Sequence, residues 1–164
     1  MILKKLLDAI EIIDKKGVID EDHLVEHISN DSREIGEGDI FVAMKGVLAD
    51  GHDYIQKAKE KGAALAVVDH FTDDEIPQIL VKNPRIALAD LACTFYDHPS
   101  KEMKVFGVTA TNGKTSTAYM IRDIFKEAGY EVGVVGTVEV QYKDVSIPSI
   151  LTTPESIHLQ KHLR

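Results

Sequence analysis

Apolar positions recur along the chain with two periods, and the change from one to the other marks the elements. Ile2, Leu3, Leu6, Leu7, Ile10 and Ile13 are helically spaced, with Lys4, Lys5, Asp8 and Glu11 between them, and predict an amphipathic N-terminal helix. Residues 17–30 are mixed and polar, and predict a short strand or a loop. Apolar runs at 39–45, 63–69 and 78–81 predict buried strands. Between the first two, Asp53 is the expected N-cap of a helix through Lys61, with Tyr54, Ile55 and Ala58 on one side and Gly62 closing it. Asn83 followed by Pro84 predicts a capped helix reaching about Tyr96. Strands alternating with helices predict an α/β fold with a mainly parallel sheet.

A connection of turn composition, Tyr96-Asp97-His98-Pro99-Ser100, predicts a domain boundary, giving domains over 1–100 and 101–164. Beyond it the pattern restarts. Residues 105–109 predict a buried parallel strand, 110–114 a small-residue turn, and Thr115 to Ala128 a helix with Ala118, Ile121, Ile124 and Phe125 on one face. Gly129 is the expected residue just past its C-terminus. A strand over 131–137 would complete a βαβ unit. A hairpin is expected over 138–147, around Lys143-Asp144. Thr152-Thr153-Pro154 predicts a Thr cap with Pro at the first position of a last helix. A nucleotide-binding α/β layer needs about four or five strands, so this second domain is expected to be incomplete.

Composition narrows the function classes. The 164 residues are 44% hydrophobic and 28% charged, as in soluble globular proteins. A net charge of −8 with no basic run argues against a nucleic-acid or anionic-membrane surface. Cys93 is the single cysteine, so no internal disulfide forms, and a buried, inert thiol is expected. The N-terminal helix has no continuous apolar region of the targeting kind, and no segment is long enough to span a membrane. A cytoplasmic monomer is expected. The seven histidines have no paired ligand spacing, so no zinc site is expected.

The strongest chemical signal is Val105 to Ala128, where strand, small-residue turn, Gly-Lys-Thr and helix follow in order. This is the layout of a phosphate-binding loop. A turn leading into a helix leaves N–H groups unpaired at the positive end of the helix dipole. Gly113 lets the backbone approach a phosphate without a Cβ in the way. Lys114 would meet the β- and γ-phosphates as a point charge, and the Thr115 hydroxyl would be a Mg²⁺ ligand. The strict pattern G-x-x-x-x-G-K-[ST] fails, because Val108 stands where it requires Gly.

The longer string GVTATNGKTST resembles the GVTGTNGKTTT signature of the Mur ligases, ATP-dependent amide-bond-forming enzymes of peptidoglycan precursor synthesis. Their loop is a variant phosphate loop, which accounts for the failed strict match. The chain departs from it at Ala110, usually Gly, and at Ser116, usually Thr. The resemblance implies that Ala110, Thr111, Asn112, Gly113, Lys114, Thr115 and Ser116 bind ATP, with Lys114 catalytic and Thr115 holding Mg²⁺. Residues 31–69, beginning Asp31-Ser32-Arg33, resemble the N-terminal domain of the MurE and MurF branches, which holds the UDP part of the muramoyl-peptide substrate. By that pattern Ser32 hydrogen-bonds the UDP group, and Val47, Leu48 and Ala49 line the uracil pocket. Arg33 is expected to be a structural ion-pair residue.

Two features resemble MurE more than MurF. Thr111 begins the Thr-Asn-Gly-Lys string, and Leu151-Thr152-Thr153-Pro154-Glu155 is similar to the MurE element that holds the muramoyl-peptide portion, which places Thr152 and Thr153 in the substrate site. The implied reaction adds meso-diaminopimelate or L-lysine to UDP-MurNAc-L-Ala-D-Glu through an acyl phosphate. A later magnesium-binding Glu, a modified lysine and an amino-acid-binding domain are not among these residues, so the 164 residues alone are expected to be inactive. A MurF-like ligase, a folylpolyglutamate-type synthetase and a non-catalytic module binding a UDP-sugar and a nucleotide remain as alternatives. The synthetase is disfavoured because it lacks the Asp-Ser-Arg domain.

Overall fold

A computed structural model describes residues 1–46, 49–149 and 151–164. The chain forms two compact units, Met1–His98 and Pro99–Arg164.

The first unit is built on a five-stranded sheet of order β1-β5-β4-β3-β2. Its strands are β1 (Ile12–Lys16), β2 (Ile28–Ser29), β3 (Ile40–Val42), β4 (Leu65–Val68) and β5 (Gln78–Val81). β2 to β5 run parallel, and β1 pairs antiparallel with β5 at the edge. β3 and β4 are buried throughout, as expected of strands covered on both faces. Side-chain alternation divides them between two layers. Phe41, Ala43, Ala66 and Val68 form one core with Ile35, Ile76 and the residues Ile55 and Ala58 of helix α2 (Ile55–Glu60). Ile40, Val42, Leu65, Val67 and Ile79 point to the opposite face. Helices α1 (Leu3–Leu7) and α3 (Pro84–Phe95) pack together and bury Leu3, Leu6, Leu88 and Leu91. Asn83 caps α3, its side chain accepting from the N–H groups of Arg85 and Ile86. The α/β architecture read from the pattern is the one observed.

Two local expectations fail. The N-terminal helix stops at Leu7, and Ile12 and Ile13 enter β1. There Ile12 lies opposite Val81 and Lys16 opposite Gln78, so continuing the helix would leave that edge of β5 unpaired. The helical spacing of Ile10 and Ile13 is coincidental. The second miss is Asp53. The turn Gly51–Tyr54 precedes α2 and is capped by Asp50, whose side chain accepts from the His52 N–H. Asp50 opens an Asx-type turn, its carboxylate accepting from the backbone two residues on, immediately before the Gly51–Tyr54 turn begins.

The second unit holds helix α4 (Lys114–Glu127), strands β6 (Val134–Val135), β7 (Glu139–Tyr142) and β8 (Val145–Pro148), and helix α5 (Ser156–Leu163). The expected hairpin is present, turning at Lys143 with φ 49°, in register Tyr142 opposite Val145. The expected βαβ unit is not. Residues 105–109 form no strand, and β6 pairs antiparallel with β7. An extended segment becomes a parallel strand only beside another strand, and no described residue pairs with 105–109. The last helix is capped at Glu155 without a side-chain hydrogen bond, so Thr153 is not its N-cap.

Candidate functional site

In the second unit the chain turns into α4 at Gly113, which has φ 78° and serves as the N-cap. That left-handed conformation strains any residue with a Cβ and is open to glycine. The first helical bond runs from the Thr117 N–H to the Gly113 carbonyl at 2.9 Å. By helix geometry the N–H groups of Lys114, Thr115 and Ser116 precede that bond and have no intrahelical acceptor. No heavy atom lies within 4 Å of where a Gly113 Cβ would be, so the turn faces open space. Residues 110–113 and Ser116 are exposed, and Lys114 and Thr115 are half-buried. The Lys114 Nζ folds back and donates to the Ala110 carbonyl at 2.7 Å. Ala110 does not take a positive φ, so its Cβ is not strained in this conformation. The arrangement collects unpaired N–H donors, a helix dipole and an ammonium group on one exposed turn, which suits an anionic phosphate. Thr115 offers a hydroxyl beside it for a hard cation.

In the first unit the loops after β2 and β3 leave the same, C-terminal edge of the parallel sheet. Ser32 is buried and its hydroxyl makes no hydrogen bond with the described residues. Its neighbours are tied down. Ser29 Oγ donates to Glu34 Oε2 at 2.8 Å and accepts from the Asp31 N–H at 3.0 Å. Arg33 grips Asp31 with Nε and a terminal nitrogen, the latter at 2.6 Å. That hydrogen-bonded pair holds the Asp31 carboxyl below its usual range, and makes Arg33 the ion-pair residue the sequence suggested.

The loop after β3 closes on itself, with the Gly46 N–H donating to Ala49 O at 2.9 Å and the Gly51 N–H to Met44 O at 2.8 Å. A Cβ on Gly51 would lie 2.5 Å from the Met44 nitrogen, so only glycine allows this approach. Ala49 is exposed at the loop tip. Val47 and Leu48 lie outside the described residues.

A cavity of about 310 Å³ opens at the same sheet edge, lined by Met44, Lys45, Asp69, Lys82, Asn83, Pro84 and Arg85. Open parallel sheets hold ligands outside the carboxyl ends of their strands, and the lining here carries three cationic side chains and one carboxylate. Sequence reading missed this lining, because its residues follow three different strands and share no motif. It also missed His52, Asp69 and His70, whose candidate ligand atoms lie within 4.8 Å of one another. Thr152 and Thr153 are exposed, and Thr137 Oγ1 lies 3.3 Å from Thr152 Oγ1. Among the described residues no helix is long and apolar enough to cross a membrane.

Residues 24–96 match the profile of the Mur ligase family, catalytic domain, and residues 108–164 that of the Mur ligase middle domain. A UDP-N-acetylmuramoyl-L-alanyl-D-glutamate--2,6-diaminopimelate ligase of Bacillus licheniformis is 43% identical over 144 residues, covering 88% of this chain and 30% of the relative. One of the same name from Clostridium tetani is 42% identical, covering 98% of this chain and 34% of the relative. The chain therefore spans about a third of the length of the curated relatives it matches. Among solved structures, a UDP-N-acetylmuramoyl-L-alanyl-D-glutamate--2,6-diaminopimelate ligase has the same fold, with a TM-score of 0.71 at 19% identity over 99% of this chain and 32% of that one. The UDP-N-acetylmuramoylalanyl-D-glutamyl-2,6-diaminopimelate--D-alanyl-D-alanyl ligase of Acinetobacter baumannii gives a TM-score of 0.57 at 28% identity, covering 76% of this chain and 28% of that one. With both profiles matched in order along the chain, this protein belongs to the Mur ligase family.

Proposed function

We propose that this chain is part of an ATP-dependent ligase of the MurE type, which adds 2,6-diaminopimelate to UDP-MurNAc-L-Ala-D-Glu during peptidoglycan precursor synthesis. The names of its relatives support the choice of reaction. The observation that carries it is the turn at Gly113, whose φ of 78° starts α4 with Lys114 and three N–H groups on an open surface.

Residues 110–116 bind ATP in this reading. The Lys114 ammonium leaves the neutral Ala110 carbonyl for a charged phosphate oxygen, so that both partners of the hydrogen bond are ionised. Its contribution grows as negative charge gathers on the oxygens between the β- and γ-phosphorus, so it favours the transition state over the ground state. The Thr115 hydroxyl holds Mg²⁺, which supplies further charge neutralisation when bound. The D-Glu carboxylate takes the γ-phosphoryl group with release of ADP, and the incoming amine attacks the resulting acyl phosphate, losing a proton and expelling inorganic phosphate.

Residues 1 to about 100 form the substrate-holding domain and 101–164 the first part of the ATP-binding domain. Ser32, with a hydroxyl unpaired among the described residues, hydrogen-bonds the UDP group, and the loop with Ala49 lines the uracil. The neighbouring cavity, with Lys45, Lys82 and Arg85, suits the charge of a diphosphate. Thr152 and Thr153 hold the muramoyl-peptide portion. The protein acts in the cytoplasm as a monomer, where its nucleotide substrates are found.

The test is phosphate release by the protein carrying this chain. Release that requires ATP, Mg²⁺, UDP-MurNAc-L-Ala-D-Glu and 2,6-diaminopimelate together is the expected result. Release that needs the tripeptide and D-alanyl-D-alanine would assign the MurF reaction instead, and ATP turnover indifferent to either would refute both.

A further inference from the structure

Of the seven histidines, His52 alone is buried, with 7% of its surface exposed. Its ring is held in one orientation. Nδ1 lies 2.6 Å from Asp50 Oδ1, and that same oxygen accepts the His52 backbone N–H at 3.0 Å. An imidazole nitrogen facing a carboxylate at this distance carries its proton, which leaves the lone pair of the neutral ring on Nε2. Nε2 is fully buried and has no hydrogen-bond partner among the described residues. It faces Asp69 Oδ1 at 3.4 Å. A lone pair opposite a carboxylate oxygen is repulsive unless positive charge lies between them.

His70 completes the group. Its ring stacks on His52 with centroids 4.1 Å apart and planes inclined by 26°, and its Nδ1 lies 2.6 Å from Asp69 Oδ1. The fold assembles these residues from loops at one sheet edge. His52 sits in the turn after β3, and Asp69 and His70 follow β4, its parallel neighbour.

We propose that His52 Nε2, Asp69 and His70 bind a divalent transition-metal ion of the zinc class, with Asp50 orienting His52. Zinc bonds to nitrogen and oxygen of about 2.0–2.1 Å in a tetrahedron put ligand atoms about 3.3 Å apart. The His52–Asp69 separation already has that length. The His70 side chain is 59% exposed and turns to present a ring nitrogen, giving up its hydrogen bond to Asp69. Two imidazoles and a carboxylate are a borderline donor set, which selects zinc, cobalt or nickel over magnesium or calcium. The fourth position is open to water or to a ligand group. Asp50 plays the part of the carboxylate that commonly accepts from the far nitrogen of a metal-bound histidine.

The test is titration of the metal-free 164-residue chain with Co²⁺, followed by visible d–d absorption and by isothermal titration with Zn²⁺. One ion per chain is expected, with tetrahedral cobalt bands that Zn²⁺ removes. His70→Ala changes an exposed residue and is expected to keep the fold, checked by circular dichroism, while weakening binding at least tenfold. Asp50→Asn is expected to weaken it by about 10–100-fold, the usual effect of losing an orienting partner. His158→Ala, in the other unit, should leave binding unchanged. No bound cobalt, or equal affinity in wild type and His70→Ala, would overturn the site. So would ¹⁵N spectra showing both His52 ring nitrogens protonated in the presence of Zn²⁺, because a proton would then sit where the metal is placed.

Discussion

Residues 39–45 and 105–109 are both short apolar runs that read as buried parallel strands, yet they end differently. In the first unit Ile40, Phe41 and Val42 are at most 1% exposed, between β2 and β4. In the second, Val105 is 61% and Phe106 58% exposed, and no strand forms. The difference extends to the helices. α3 buries Leu88, Leu91 and Ala92, whereas α4 buries no residue and leaves Met120 and Ile124 exposed. Among the described residues of the second unit, Val134, Val140 and Ile157 are the buried hydrophobic side chains. Phe106, Phe125 and Tyr130 make a local ring cluster instead, with centroids 5.2 and 5.5 Å apart. Apolar pattern states which residues gain from burial, at roughly 25 cal/mol per Å². Whether a partner is there to bury them is a separate fact.

The largest expected contrast is between two truncations. Leu91→Ala removes a fully buried side chain and should lower stability in urea by about 2–5 kcal/mol. Ile124→Ala, at a residue 68% exposed, should stay within about 0.5 kcal/mol. Comparable losses at both positions would mean that α4 is packed in solution. Glycines offer a smaller contrast. Gly51→Ala forces a Cβ onto the Met44 backbone and should cost about 1–3 kcal/mol of the first unit's stability. Gly113→Ala meets no atom, so its cost should be the left-handed strain alone, about 1–2 kcal/mol, confined to the start of α4. Amide exchange read separately for the two units distinguishes these outcomes.

Much of the first unit was legible for physical reasons that the same comparison exposes. β3 and β4 are continuous apolar runs, and β5 is one after its buried Gln78, because both faces of the sheet are covered, and Asn83-Pro84 carries its capping chemistry in two adjacent residues. β1 was not legible, since Ile10 and Ile13 fit a helical period and only pairing with β5 overrides it. In the second unit, the turn at Gly113 and the start of α4 could be read because a small-residue turn leading into a helix is local in sequence. The cavity lining and the His52–Asp69–His70 group could not, because each is assembled from the ends of neighbouring strands far apart along the chain.

A finer contrast sets the proposed uridine site against the proposed phosphate loop. Ser32→Ala should weaken UDP binding to the chain by about 0.5–1.5 kcal/mol, one neutral hydrogen bond, with ATP binding unmoved. Isothermal titration with each nucleotide separates the two, and equal UDP heats for wild type and variant would remove Ser32 from the site.

The central claim is that Lys114 acts on a transferring phosphate, and steady-state kinetics of Lys114→Ala in the protein carrying this chain test it most directly. The account predicts a kcat at saturating ATP lower by about 10²-fold or more, the scale of losing one transition-state donor. The KM for UDP-MurNAc-L-Ala-D-Glu should move much less, because the proposed site assigns that substrate to Ser32, Thr152 and Thr153. A near-wild-type kcat would make Lys114 a solvated side chain at a helix start, and the ligase mechanism proposed for this loop would be contradicted.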